Sequence, residues 1–308
     1  MGPGTFMLSA LIHPHTNDEF LIESWQREPF VTHALAASVK ELTELPFLQS
    51  LDSLLAAWPF QVQAHLPDAA DECSSIDVST TDAKKLFSNK LALLFNNAER
   101  ISPLLQQWLL SLRKDLGLPT STYGRCLLYA TPHGKGTAAH FDQNVNFVLQ
   151  IHGVKKWYLA PNTSIQNPTQ RFTIGQPMDP ELAAYADQGE MPVSMPQLGQ
   201  QEIVLRPGSM LYVPRGYWHS TEAEGEALAL NFTFNQPTWI DLFTIALRSR
   251  LSLSPYWREL ADGVTAGDLD RRELANEKFD ILLRELIEDL PSWRAADILG
   301  ATEGDLSD

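Results

Sequence analysis

Between residues 123 and 234 the chain breaks into short β-prone runs, at 125–130, 145–151, 155–160, 202–206, 210–213 and 227–234, separated by Gly, Pro and Asn. Many short strands with turn signals between them point to an antiparallel sandwich or barrel. The last run shows its two faces. Leu228, Leu230, Phe232 and Phe234 alternate with Ala227, Ala229, Asn231 and Thr233. Successive side chains of a strand point to opposite sides. The large apolar set therefore suits packing beneath helices, and the small, polar set suits the inside of a barrel that holds a ligand. Around residue 146 the even positions His140, Asp142, Asn144 and Asn146 are polar, and Phe141, Val145, Phe147 and Leu149 are not. Without a bulge, Asn146 shares a side with His140 and Asp142. Residues 161–200, with prolines at 161, 168, 177, 180, 192 and 196, interrupt the strand series and read as a lid or binding loop.

Helical patterns flank this β core. Thr16-Asn17-Asp18-Glu19 reads as a capping box ahead of a short helix through Phe20, Leu21 and Trp25, ended by Pro29. A second helical stretch covers 35–45. Residues 67–83 are polar and acidic and look like a surface excursion, and 91–95 is an apolar run suited to a buried strand. Pro103 opens an amphipathic helix carrying Leu104, Leu105, Trp108, Leu109 and Leu112, which Gly117 and Pro119 end. After Pro237 the pattern is helical to the end. Three regions follow: 1–120, helical and mixed, packing on the barrel; 121–236, the β core with the inserted loop 161–200; and 237–308, helical.

In the last region Phe279, Leu282, Leu283, Leu286, Ile287 and Leu290 form one apolar face among 15 acidic and 8 basic side chains in 241–308. Such a stripe must be buried, against its own barrel or against a partner subunit. The expectation is a homodimer through these helices.

The chain has 38 Asp and Glu against 23 Lys and Arg, a formal charge of -15. That balance repels phosphate backbones and argues against nucleic acid as a direct partner; it suits a basic peptide or protein, or simply solubility. No apolar run is long enough to span a membrane. The first ten residues lack the basic head and long apolar stretch of a signal peptide, so a cytoplasmic protein is expected. Cys73 and Cys126 are then read as free thiols.

The chemistry centres on His140-Phe141-Asp142. Residues i and i+2 of an extended chain point the same way, so the imidazole and carboxylate can reach one metal ion. His219 lies 77 residues beyond Asp142, after the turn Pro214-Arg215-Gly216-Tyr217-Trp218. Two imidazoles and one carboxylate on one face of iron form the facial triad of non-haem Fe(II) oxygenases. Three adjacent positions stay open, two for a bidentate 2-oxo acid and one for dioxygen. The segment from Pro207 to Pro214 is a turn into a strand that delivers His219 on a rigid support.

The stretch from His140 through Trp157, with the later segment from Pro207 to His219, resembles the JmjC oxygenases of the cupin-like branch. It is similar to the asparaginyl hydroxylase that inhibits hypoxia-inducible factor and to bacterial ribosomal-protein hydroxylases, most clearly over 85–235. The resemblance implies a mainly β fold, a double-stranded β-helix or jelly roll with helices before and after it. It implies Fe(II) on His140, Asp142 and His219, with 2-oxoglutarate as co-substrate and O2 as oxidant. Lys155, fifteen residues after His140, falls where the family sets a cation against the distal carboxylate of 2-oxoglutarate. Thr137 falls on an assisting threonine, and Asn146 and Asn231 on polar residues near metal and co-substrate. The tyrosine that usually helps hold the distal carboxylate has no secure counterpart; Asn96, Asn97 and Tyr129 are candidates. The implied reaction couples decarboxylation of 2-oxoglutarate, to succinate and CO2, with hydroxylation of a protein or peptide side chain. A small-molecule oxygenase, an N-methyl demethylase and a metal-binding cupin without turnover stay open. Relatives of this branch also dimerise through C-terminal helices.

Overall fold

The computed structural model describes residues 7–33, 35–67, 74–186, 191–265 and 267–303. The strands are β1 Phe30–Thr32, β2 Val62–His65, β3 Ser75–Val78, β4 Leu93–Phe95, β5 Tyr123–Thr131, β6 His140–Phe141, β7 Val145–Ala160, β8 Phe172–Thr173, β9 Gln201–Leu205, β10 Met210–Val213 and β11 Trp218–Asn235. The helices are α1 Met7–Ile12, α2 Asn17–Glu23, α3 Lys40–Thr43, α4 Leu51–Ala57, α5 Thr80–Ser88, α6 Pro103–Asp115, α7 Pro180–Tyr185, α8 Trp239–Leu251, α9 Leu269–Asp289 and α10 Ala295–Glu303.

All the strands join one antiparallel sheet, ordered β1-β10-β7-β11-β5-β4-β2-β3, with β9 on β7 and the short β6 and β8 attached through β11. Two long strands set its shape. Residues 145–149 of β7 pair with 230–234 of β11, and 154–160 pair with 218–224, with the register shifting between Glu224 and Ala229. The first half of β7 also takes β10, and its second half takes β9. The pairing thus changes partners at the shift, as a double-stranded β-helix requires. Gly153 sits there with φ +70, and a Cβ on it would lie 2.0 Å from the carbonyl oxygen of Glu226. Only glycine tolerates both the conformation and that approach.

The alternation read from sequence appears as two packed faces. Outside, Val145, Phe147, Leu149 and Ile151 join Leu228, Leu230, Phe232 and Phe234 in a core shared with the N-terminal helices. Trp108 of α6 stacks on Phe232 at 6.1 Å, and Phe20 of α2 packs against Phe147 and Tyr212. Each large side chain buried this way contributes about 1.5–3 kcal/mol. On the inside, Val148, Trp157, Leu159, Leu211 and Ala229 cluster together.

Several local readings change. The Thr16–Glu19 capping box is present, but α2 ends at Glu23, well before Pro29. Gln26 turns left-handed, at φ 59, and donates its N–H to the Tyr212 hydroxyl. Residues 35–45 divide into a 3-10 turn and α3. Much of the supposed surface excursion is regular: β3 pairs with β2, and Ser79 caps α5. An edge strand keeps one side in water, so its polar composition hid it. Cys73 lies outside the described residues; Cys126 is a buried free thiol. The inserted segment holds β8 and α7, and it buries Ile165, Phe172 and Leu182 against Phe141 and Trp218.

The chain divides into two compact units, Met1–Leu118 with Tyr123–Asn235, and Pro119–Thr122 with Gln236–Asp308. In the second, Thr238 and Asp241 form a capping box on α8, Phe243 packs on Trp293, and Arg250 grips the Asp289 carboxylate through two N–H groups. No residue of α9 is buried. No described helix is long and apolar enough to cross a membrane.

Candidate metal centre

β6 and β11 bring the two histidines together, since His140 pairs directly with His219 across the ladder. Their ring centroids are 4.0 Å apart. Asp142 directly follows β6, and its carbonyl accepts the Gly216 N–H at 2.8 Å. The carboxylate oxygens lie 3.9 Å from His140 Nε2 and 3.6 Å from His219 Nε2. Among the described residues these three form the only His, Cys, Asp and Glu cluster spaced to hold a metal ion.

The donor atoms are oriented from behind. His140 Nδ1 lies 2.7 Å from the Ala138 carbonyl, and His219 Nδ1 lies 2.9 Å from that of Tyr217. A carbonyl only accepts, so each Nδ1 carries the proton and each Nε2 lone pair is left for a metal. Trp157 stacks on the His219 ring at 5.7 Å. Asn231 Nδ2 donates to Asn146 Oδ1 at 2.9 Å, and Asn146 Nδ2 donates to Asp142 Oδ2 at 3.2 Å, so two buried amides aim the carboxylate. Burial pushes the Asp142 carboxyl up. The Arg171 guanidinium, the two imidazoles and the Asn146 bond outweigh it and hold the group at about 2.

All seven residues singled out from sequence, His140, Asp142, His219, Lys155, Thr137, Asn146 and Asn231, line one cavity. Thr137 and Thr221 are joined by three bonds, Thr137 N–H to Thr221 Oγ1 at 3.0 Å, Thr221 N–H to the Thr137 carbonyl at 3.2 Å, and one between the two hydroxyls at 2.9 Å. Lys155 is buried, with 4% of its surface exposed. Its ammonium donates to Thr131 Oγ1 at 3.2 Å and lies 5.6 Å from the Tyr129 ring. Burial lowers its pKa to about 8. Of the three candidates near the distal carboxylate, Tyr129 lines the cavity, whereas Asn96 bonds Gln63 and Asn97 accepts from Tyr123.

Sequence reasoning missed His65, Thr221, Trp157 and Arg171, which also line the cavity. Thr221 is two beyond His219 and Trp157 two beyond Lys155, so strand alternation carried to the next position finds both. Arg171 comes from the inserted segment and His65 from β2, and no local pattern marks either.

Residues 120–242 match the JmjC domain. Over its length the chain is similar to the uncharacterised protein YxbC of Bacillus subtilis: 32% identical over 308 residues, covering 97% of this chain and 92% of that protein. It is 30% identical to ribosomal oxygenase 1 of Rattus norvegicus over 161 residues, 48% of this chain but only 23% of that much longer protein. Among solved structures, the ribosomal oxygenase YcfD of Escherichia coli in complex with cobalt and 2-oxoglutarate superposes with a TM-score of 0.51 at 16% identity, covering 89% of this chain and 66% of that one. At that identity the superposition shows a shared cupin-like fold. A sheet of this topology with a His-Asp-His triad lining its cavity defines the class. The chain belongs to the JmjC domain family.

Proposed function

We propose that this chain is an Fe(II)- and 2-oxoglutarate-dependent oxygenase that hydroxylates a side chain of a protein or peptide. The observation that carries the co-substrate is Lys155. An ammonium so deeply buried needs a counter-charge, and no described carboxylate pairs with it. A dicarboxylate reaching past the triad supplies one through a charge-assisted hydrogen bond. The donor set fits the metal: two neutral imidazoles and a carboxylate suit non-haem iron. His140, Asp142 and His219 would hold the iron; Lys155, with Thr131 and Tyr129 beside it, would hold the far carboxylate of 2-oxoglutarate.

When bound, iron and 2-oxoglutarate supply the oxidising power that places an oxygen atom on a substrate C–H bond, with succinate and CO2 as co-products. The chain's own residues orient and enclose. The Ala138 and Tyr217 carbonyls fix the imidazole tautomers. Trp157 walls one side of His219, the bonded pair Thr137 and Thr221 lines the same cavity, and the Asn231 to Asn146 relay keeps Asp142 aimed inward.

A protein substrate is supported by the named ribosomal oxygenases among the relatives, and the charge of -15 suits a basic one. The test is mass spectrometry of lysate proteins and metabolites, with and without enzyme, Fe(II) and 2-oxoglutarate. A one-oxygen gain on a protein, with succinate formed alongside, is expected. A gain confined to a small molecule replaces the protein-substrate half of the proposal, and absence of succinate overturns the whole.

A further inference from the structure

Asp142 is gripped from two sides. Asn146 Nδ2 bonds Oδ2, the oxygen 3.6 Å from His219 Nε2. Arg171 Nη1 stands 3.4 Å from the other oxygen, Oδ1, which lies farther from its histidine, 3.9 Å from His140 Nε2. Arg171 belongs to the inserted segment, one residue before β8. It is held there because Phe172 pairs with Phe141 and Thr173 with His140. Phe172 is also packed into the apolar cluster with Phe141 and Trp218. The segment thus fastens itself to the ligand strand and leaves the guanidinium beside the metal position, with 22% of its side chain exposed.

A carboxylate can ligate a metal through one oxygen or chelate through both. Chelation by Asp142 would consume one of the three positions that a 2-oxo acid and dioxygen require. We infer that Arg171 is a positioning residue whose guanidinium holds Oδ1 of Asp142, so that only Oδ2 ligates the metal. The inference rests on reading the site as a metal-dependent oxygenase. It has a second consequence. A fixed positive charge this close to a divalent ion repels it, so Arg171 tempers metal affinity while it preserves open coordination positions.

Co(II) titration tests this, followed by visible absorption, which reports the metal's geometry. Wild type, Arg171→Gln and Arg171→Lys are compared, and 2-oxoglutarate is then titrated into each cobalt-loaded protein. Arg171→Gln is expected to bind Co(II) about tenfold tighter, with an altered spectrum, and 2-oxoglutarate about tenfold more weakly. Arg171→Lys, which keeps the charge, returns Co(II) affinity toward wild type. Should the Gln variant not fold, Arg171→Ala takes its place. Unchanged or weaker Co(II) binding in the neutral variant overturns the inference, as does unchanged affinity for 2-oxoglutarate. A wild type that takes up no Co(II) defeats the oxygenase reading itself; a wild type that binds it beside an indistinguishable Arg171→Gln defeats only the role of Arg171.

Discussion

His140, Asp142 and His219 stand within reach of one ion because strand pairing, rather than chain proximity, brings the second histidine back. Each of His140→Ala, Asp142→Ala and His219→Ala should lose bound Fe(II) and 2-oxoglutarate turnover and keep the circular dichroism of the parent; two variants with full turnover would sink the assignment. Lys155→Ala should weaken 2-oxoglutarate by roughly 1.5–3 kcal/mol, the worth of a hydrogen bond to a charged group, and leave metal uptake intact. Its pKa adds a pH dependence. Burial lowers the ammonium from 10.5 to about 8, so above that value binding must first recapture a proton. Affinity for 2-oxoglutarate should therefore fall as pH rises through about 8, by up to roughly tenfold per unit. Lys155→Arg, charged throughout, should bind with a flat profile, and calorimetry at several pH values checks both. In the ligand-free protein the sign reverses: the unfolded chain holds this proton up to 10.5 and the folded one only to about 8, so stability rises with pH across that window. At this scale the sequence is legible where His140, Asn146, Lys155, His219 and Asn231 lie on paired strands, whereas Asp142 sits in the break between β6 and β7 and Asn144, placed with it by alternation, does not line the cavity. Arg171 is not legible, because its place depends on where a long insertion lands.

The sequence punctuation predicts a series of short strands, and two of them, β7 and β11, are long. Gly153 looked like turn punctuation between runs 145–151 and 155–160, yet β7 passes straight through it. The first half of β11 carries no strand signal because Glu222, Glu224 and Glu226 give it the composition of a surface loop. Both differences come from the place where the two strands shift register and the β-helix changes partners. Composition there reflects a close backbone approach and not an end of pairing. Gly153→Ala tests the point. It forces a Cβ against the Glu226 carbonyl and a non-glycine residue into positive φ, and should cost roughly 3 kcal/mol or more. A urea midpoint unchanged from wild type would refute the close approach. Lys155 is only two residues away, so a folded Gly153→Ala should also lose affinity for 2-oxoglutarate.

The C-terminal unit poses the remaining question. Its α9 carries most of the apolar stripe of the sequence, and that stripe is only partly covered: Phe279 is 54% exposed and Ile287 64%, while Leu282 and Leu286 are half-buried and Phe279 packs edge-on to Trp257. A helix of 21 residues with no buried side chain gains little from packing and pays the full entropy of ordering. We propose that a second copy covers it. Apolar burial at roughly 25 cal/mol per Å² would let two such helices contribute several kcal/mol to association. The acidic excess of this region opposes association, but part of it is already neutralised within the unit by Arg250 on Asp289, Arg271 on Asp262 and Lys278 on Glu259. What repulsion remains lies on solvated groups and is screened by salt. The dimer should therefore tighten as ionic strength rises, the opposite of an interface held by ion pairs. Leu283→Glu with Leu286→Glu should give a monomer that still folds and binds metal, since neither residue belongs to the barrel unit. Light scattering decides the matter: a wild type that stays monomeric at micromolar concentration, in low salt and high, removes the second copy and leaves the stripe for another partner.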